Sequence, residues 1–270
     1  MHWGSGTPWD HSFDYWRKTF DLVRGRGAIN FVDMHTGGVR LRDVASGVYD
    51  ASFTRWAREA RAYGHPFFLR WNWEMDGGWF PWGATRRNLN TSADYVAAWR
   101  HVHDIFTQVG ATNVTWVWCP NVEPLRKVMR YQRLYPGDAY VDWTALDGYN
   151  QTGRQSFRWL FGRSYRELVR IAPRKPILIA ETSSVEGGSI PKPTWVTDAL
   201  GNRLPREFPQ VKAVMWMNWR IDHGGTWKSW EIESSSPTQT AFARAIRSPY
   251  YAPGGSFANL TPLTKIVPRP

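Results

Sequence analysis

The sequence predicts a parallel (β/α)8 barrel, the TIM-barrel class, and three observations carry that prediction. The chain has 270 residues, close to the roughly 250 such a barrel needs. Short apolar runs alternate with helix-length amphipathic segments, the sequence form of repeated parallel βα units. Several of those runs are almost continuously apolar, as strands covered on both faces require.

Strands are expected over residues 28–35, 66–74, 113–121, 141–150, 176–183 and 211–219. Helices are expected over 13–24, 52–63, 93–109, 157–171, 194–204 and 238–246. Asp50 is placed to cap the second helix, Gly64 to end it and Gly110 to end the third. Pro173 and Pro176 mark the exit from the fourth. Residues 1–5 read as the end of one further strand. If 66–74 is strand four of eight, then 28–35 is strand three and 1–5 closes strand two. The expectation is therefore a barrel lacking strand one through truncation at the N-terminus. One domain is expected over residues 1–247. The last stretch, 248–270, carries Pro249, Pro253, Pro262, Pro268 and Pro270, and reads as an irregular tail.

Apolar residues make up 42% of the chain and charged residues 21%, which fits a soluble globular protein. No run approaches the roughly 18 apolar residues of a membrane span, so no membrane partner is expected. The opening Met1-His-Trp-Gly-Ser5 has neither a basic nor an apolar leader region. Cys119 is the single cysteine, so no internal disulfide forms, and its strand-like surroundings predict a packed thiol. The formal net charge is +11, but the arginines are scattered, and a solvated basic surface is expected rather than nucleic-acid binding.

Tryptophan is the anomaly, with 18 residues. Trp3, Trp9, Trp71, Trp73, Trp79, Trp82, Trp216, Trp219, Trp227 and Trp230 fall at expected strand ends or in loops. Flat, partly apolar ligands such as pyranose rings suit indole faces.

Two apolar runs end abruptly in a carboxylate, at Glu74 and at Glu181. Strand C-termini build the active site of a parallel barrel, and a carboxylate there costs folding energy unless it is paired or used. The two are 107 positions apart, three units at roughly 30–35 residues each, which assigns them to strands four and seven. Convergence to about 5–5.5 Å is the arrangement for retaining glycoside hydrolysis. Glu74 lies among indoles, which favours the proton-donating role, whereas Glu181 precedes Thr182, Ser183 and Ser184, whose hydroxyls favour the ionised role. The alternative is that both are structural partners of nearby arginines.

The segment Trp73-Glu-Met-Asp-Gly-Gly-Trp79-Phe-Pro-Trp82-Gly resembles the acid/base motif of glycoside hydrolase family 26, usually His-Glu-Met-Asn-Gly followed by Trp-Phe and an aromatic residue. Glu181-Thr-Ser resembles the nucleophile strand of that family, and Val141-Asp-Trp-Thr-Ala-Leu-Asp-Gly-Tyr149-Asn its sixth strand. The likeness runs from Met1 to about Arg247. It implies a retaining endo-β-glycosidase barrel, and the activity expected of this chain is mannan endo-1,4-β-mannosidase, with mixed-linkage β-glucanase or β-1,3-xylanase of the same family as the alternative. It implies Glu74 as acid/base, Glu181 as nucleophile, Tyr149 as donor to Glu181, Trp216 as the floor under the sugar, and Trp79 lining the same cleft. A polysaccharide substrate, no cofactor, a monomer and secretion are what the resemblance leads one to expect. A carbohydrate-binding barrel without catalysis is the reading of a different class. Trp73 and Asp76 stand where the family usually has histidine and asparagine, so Asn72 or His35 is a candidate replacement donor to the sugar.

Other polar residues have plainer expectations. Glu186 reads as a loop charge or a subsite ligand. His101 and His103, two apart on a helix, do not face one another and make no metal pair. His2, His11 and His223 lie near expected barrel mouths. Asp33 and Asp147 are expected as buried partners of arginines such as Arg70. No zinc spacing, P-loop or dinucleotide fingerprint occurs.

Overall fold

The alternation of apolar and amphipathic segments is realised as parallel βα repeats in the computed structural model, which describes residues 2–8, 10–123, 131–222 and 225–268. The chain divides into two units, Met1–Asn121 with Arg130–Thr144 and Pro253–Pro270, and Val122–Met129 with Ala145–Ala252.

The first unit carries β1 (His2–Gly6), α1 (Arg17–Gly25), β2 (Asn30–Met34), α2 (Leu41–Ala45), α3 (Asp50–Tyr63), β3 (Phe67–Trp71), α4 (Ser92–Val109), β4 (Val114–Trp118), α5 (Tyr131–Leu134) and the first residues of β5 (Trp143–Asn150). All neighbouring strands pair parallel, with Phe31 opposite Phe68, Leu69 opposite Trp116 and Val117 opposite Trp143. Every residue of β2, β3 and β4 is buried, which is why those segments read as continuous apolar runs. The second unit continues β5 and adds α6 (Phe157–Ile171), β6 (Ile177–Ser184), α7 (Lys192–Val196), a π-helical turn over Thr197–Arg203, α8 (Leu204–Glu207), β7 (Val211–Trp216), a hairpin of β8 (Arg220–Asp222) and β9 (Trp227–Ser229), and α9 (Ser236–Ile246). The strands β1 to β7 follow one another in sequence order within the sheet. Seven parallel strands therefore lie among the described residues, the number expected.

Local chemistry explains most boundaries. Thr91 and Asp94 form a reciprocal capping box at the start of α4, and Gly110, at φ 76°, ends it in the left-handed region. Asp50 does not cap α3. Tyr49 holds the cap position, and the Asp50 carboxylate instead meets His101 Nε2 on α4 at 2.7 Å. The single helix expected over 194–204 is broken into α7, the π-turn and α8. The widened turn falls where Gly201 weakens the helix and Pro205 contributes no amide donor. The short helices α2 and α5 and the β8–β9 hairpin carry no periodicity long enough to predict them.

Aromatic packing dominates the first unit. Phe13 touches Phe20 and Trp56 at centroid distances of 4.9 Å each, and Trp71, Trp99 and Trp118 are completely buried. Trp71 is thus a core residue rather than a ligand platform. Cys119 is buried and forms no disulfide, and its Sγ accepts from Arg70 Nη1 at 3.8 Å. Residues of the C-terminal stretch lie on this unit. Phe257 N donates to Gly27 O at 3.0 Å, Leu263 N to Gly64 O at 2.8 Å and Ile266 N to Thr115 Oγ1 at 2.8 Å.

Beneath the end of β3 lies a buried ion pair. Arg70 donates from Nε and Nη2 to the two oxygens of Asp33 on β2, at 2.6 and 2.9 Å, with both side chains shielded from solvent. The guanidinium also lies 4.8 Å from the Trp73 ring. Removing one partner of a buried pair leaves an uncompensated charge. Asp33→Ala is therefore expected to lower unfolding stability by about 3–5 kcal/mol, read by chemical denaturation. A loss below about 1 kcal/mol, the value of an exposed pair, would contradict this account of the pair.

Candidate active site

Glu74 is set by a kink in the chain after β3. Asn72 and Glu74 both adopt positive φ, 43° and 51°. Such backbone costs of order 1–3 kcal/mol per residue where it is strained, and here hydrogen bonds offset it. Asn72 N donates to Met34 O at 3.0 Å and Glu74 N to Cys119 O at 2.7 Å. The kink directs the Asn72 side chain to Thr36, whose backbone N–H donates to Oδ1 at 2.9 Å and whose hydroxyl accepts from Nδ2 at 3.0 Å. Asn72 is fully buried, so its place in the structure is that of a brace between two strand ends.

The Glu74 carboxylate is buried and accepts a hydrogen bond from Trp79 Nε1. The indoles near Glu74 are therefore not purely apolar surroundings, because Trp79 meets the carboxylate with its N–H, as a donor. Trp79 itself is 57% exposed. Gly77 makes this approach feasible, because a Cβ there would lie 2.3–2.5 Å from three atoms of the Trp79 ring. Around this centre the loop is a stack of rings. Phe80 and Trp82 are parallel at 4.5 Å, and His35 stacks on Trp82 at 4.7 Å. Trp82 Nε1 donates to Trp73 O at 2.8 Å. Trp73 is buried between Arg70 and Trp82. Asp76 is buried and accepts from Asn121 N at 2.9 Å, which ties the Glu74 loop to the end of β4.

His35 follows β2 half-buried. Its Nδ1 accepts the Gly37 N–H at 3.1 Å, which leaves the ring proton on Nε2 and makes that atom a donor. Burial lowers the His35 pKa against the opposing pull of Asp33 and Asp10, so the ring is neutral at pH 7.

In the second unit Glu181 lies within β6, every residue of which is buried. Tyr149, on β5, donates its hydroxyl to Glu181 Oε2. The Tyr149 ring stacks on Trp230 at 4.3 Å with an interplanar angle of 14°. Trp230 O accepts from Ser183 Oγ and from Trp216 Nε1, both at 2.8 Å. Trp216 ends β7 half-buried, edge-on to Trp195 at 6.0 Å and Phe242 at 5.7 Å. Asp147 is fully buried in β5.

The remaining polar candidates have identifiable neighbours. Glu186 is no solvated loop charge. It accepts from the hydroxyls of Ser234 at 2.7 Å and Thr238 at 2.8 Å. Burial raises its pKa, but these hydroxyls, Ser235 and Lys192 outweigh that and hold it below the usual carboxylate range. His11 stacks on Tyr15 at 4.4 Å, and His103 packs against Trp116 and Tyr140 at 5.3 and 5.1 Å. Trp9 and His223 fall outside the described residues. Sequence alone assigns no scaffolding role to Trp230 or Lys192. Neither belongs to a recognisable motif, and a lysine after Pro191 looks like any surface cation.

The sequence profile of glycosyl hydrolase family 26 matches residues 38–234. Endoglucanase H of Acetivibrio thermocellus is 37% identical over 248 residues, 88% of this chain and 26% of that protein. The chain thus spans about a quarter of that relative's length. Beta-1,3-xylanase TXYA of a Vibrio species is 28% identical over 66% of this chain and 36% of its own length. Among solved structures, an endo-beta-1,4-mannanase double mutant from Cellulomonas fimi superimposes with a TM-score of 0.69 at 21% identity, over 95% of this chain and 63% of that one. The two share a fold.

The Gly77 contact yields a direct test. In a crystal structure of Gly77→Ala the Trp79 indole is expected to be displaced from the Glu74 carboxylate. An indole still bonded to Glu74 would show that the loop, not the ring, yields.

Proposed function

This chain belongs to glycosyl hydrolase family 26, and from that premise we propose that it is a retaining endo-β-glycosidase acting on β-glucan. The observation that carries the reading is Glu181, buried within β6, with the Tyr149 hydroxyl bonded to it. A carboxylate so held is kept ionised and oriented, which a nucleophile needs. Glu181 attacks the anomeric carbon and forms a glycosyl–enzyme ester. Glu74, as the carboxylic acid, donates its proton to the departing glycosidic oxygen. Glu74, now the carboxylate, then takes a proton from water, which displaces Glu181 and restores both groups.

The aromatic residues have separate duties in this scheme. Trp79 donates to Glu74 and, being exposed, offers an indole face to the sugar. Trp216 is the floor at the cleavage point, with its N–H already fixed on Trp230 O. Among the described residues no hydrogen bond occupies His35 Nε2–H, which can serve a sugar hydroxyl, and His35 is the better replacement for the family's usual histidine, since Asn72 is committed to Thr36.

β-Glucan is favoured over mannan by the 37% identity to Endoglucanase H and by Trp73 at the position where the family usually has histidine. Mannan is the second reading, supported by the fold shared with a Cellulomonas fimi mannanase.

Incubation with mixed-linkage β-glucan, β-mannan and β-1,3-xylan, followed by product analysis, tests the proposal. Short β-gluco-oligosaccharides are expected from the first, and Glu181→Ala is expected to release none. Binding of a polymer without new reducing ends would favour a lectin-like barrel instead. Tyr149→Phe is expected to cost about 10- to 100-fold in kcat, since a hydrogen bond to a charged group is worth about 1.5–3 kcal/mol. Loss of that donor disfavours the ionised carboxylate, so the acid limb of the kcat/KM profile should move to higher pH. An unmoved limb would contradict the role given to Tyr149.

A further inference from the structure

Lys192 opens α7 and is completely buried. Its ammonium donates to Ser229 O at 2.7 Å, Glu231 O at 2.7 Å and Ser234 Oγ at 2.9 Å. An ammonium has three donors, and these three oxygens take all of them. Lysine is seldom buried without partners, and the planar fork of arginine does not match three oxygens grouped around one nitrogen. Burial lowers the Lys192 pKa to about 8, against the pull of Glu186, Glu231 and Glu233. At neutral pH all three donors are present, and one is lost as the pH rises past that value. The Trp216 ring lies 6.0 Å from the ammonium.

The two carbonyls held by Lys192 belong to the residues on either side of Trp230. The Trp230 carbonyl is taken by other groups, Ser183 Oγ and Trp216 Nε1. Three successive carbonyls are thus fixed, two by one ammonium and one by side chains of β6 and β7. The Trp230 ring carried by this segment is buried and lies flat on Tyr149. Glu186 anchors the continuation of the segment through Ser234, Ser235 and Thr238.

We propose that Lys192 is a positioning residue for Glu181: it fixes Trp230 as the platform that keeps the Tyr149 hydroxyl on the nucleophile. The inference rests on the reading of Glu181 as nucleophile. A lysine that only fastened a surface loop would affect stability and leave the Tyr149–Glu181 contact alone. A chain of contacts becomes a functional path only when coupling is measured.

The test is a double-mutant cycle with Lys192→Met and Tyr149→Phe, assayed on the β-glycan that the wild type hydrolyses. Lys192→Met is expected to lower kcat by up to about 100-fold, the cost of a misplacement near 1 Å, with KM little changed. The double variant is expected to be no slower than the slower single variant, because both changes remove one arrangement. Lys192→Arg, which keeps the charge but not the three-way geometry, should recover only part of the loss. In a crystal structure of Lys192→Met the Tyr149 hydroxyl should stand beyond hydrogen-bond distance of Glu181. Wild-type kcat in a folded Lys192→Met, losses that multiply in the double variant, or an unmoved Tyr149–Glu181 contact would each overturn the proposal. If Lys192→Met does not fold, Ser234→Ala removes one of the three oxygens and enters the same cycle. A smaller, non-multiplying loss supports the proposal, and an unchanged kcat overturns it. If the wild type hydrolyses no β-glycan, the functional reading fails, and the crystal structure alone decides whether Lys192 positions Tyr149.

Discussion

A carboxyl group buried within a strand or just beyond it must be held by hydrogen-bond partners, because burying it without them is costly in a protein interior. Glu181 is held by the Tyr149 hydroxyl and Glu74 by the Trp79 indole N–H. Much of the surrounding structure exists to place those two donors. Tyr149 needs a flat partner, and Trp230 supplies it. Trp230 needs a fixed backbone, and Ser183, Trp216 and Lys192 supply that. Trp79 needs room to fold back over its own loop, which the missing side chain at Gly77 provides.

The abundance of tryptophan looks different in this light. Part of it is ordinary core, as at Trp71, Trp99 and Trp118. Part is scaffolding whose indole N–H is spent on a carbonyl, as at Trp82 and Trp216. Trp79 differs from both, since it is largely exposed and its N–H reaches a carboxylate. An indole that is both wet and hydrogen-bonded to an acidic group suits a sugar-binding surface better than a core.

The strands are legible in the sequence because β2, β3, β4 and the first half of β6 are buried, and burial on both faces favours an almost continuous apolar run. Glu74 and Glu181 are legible because each interrupts such a run. The positive φ at Asn72 and Glu74 is hidden, since no glycine marks the kink and the strain is met by distant carbonyls of Met34 and Cys119. For the same reason Asn72 reads as a free amide when it is a brace. Glu186 and Lys192 are hidden because their partners lie 37 to 52 positions away in the chain, beyond any local pattern. The broken helix over 192–207 shows tertiary packing tolerating a glycine and a proline that local propensity alone would reject.

The assignment of the two carboxylates to opposite roles is tested most directly by azide rescue on an aryl β-glycoside with a good leaving group. Removing the nucleophile opens the α face of the anomeric carbon, whereas removing the acid/base leaves the glycosyl–enzyme open to attack from the β face. Glu181→Ala with azide should therefore yield the α-glycosyl azide, and Glu74→Ala the β-glycosyl azide. The reverse pairing, or full activity in either variant without azide, would contradict the account.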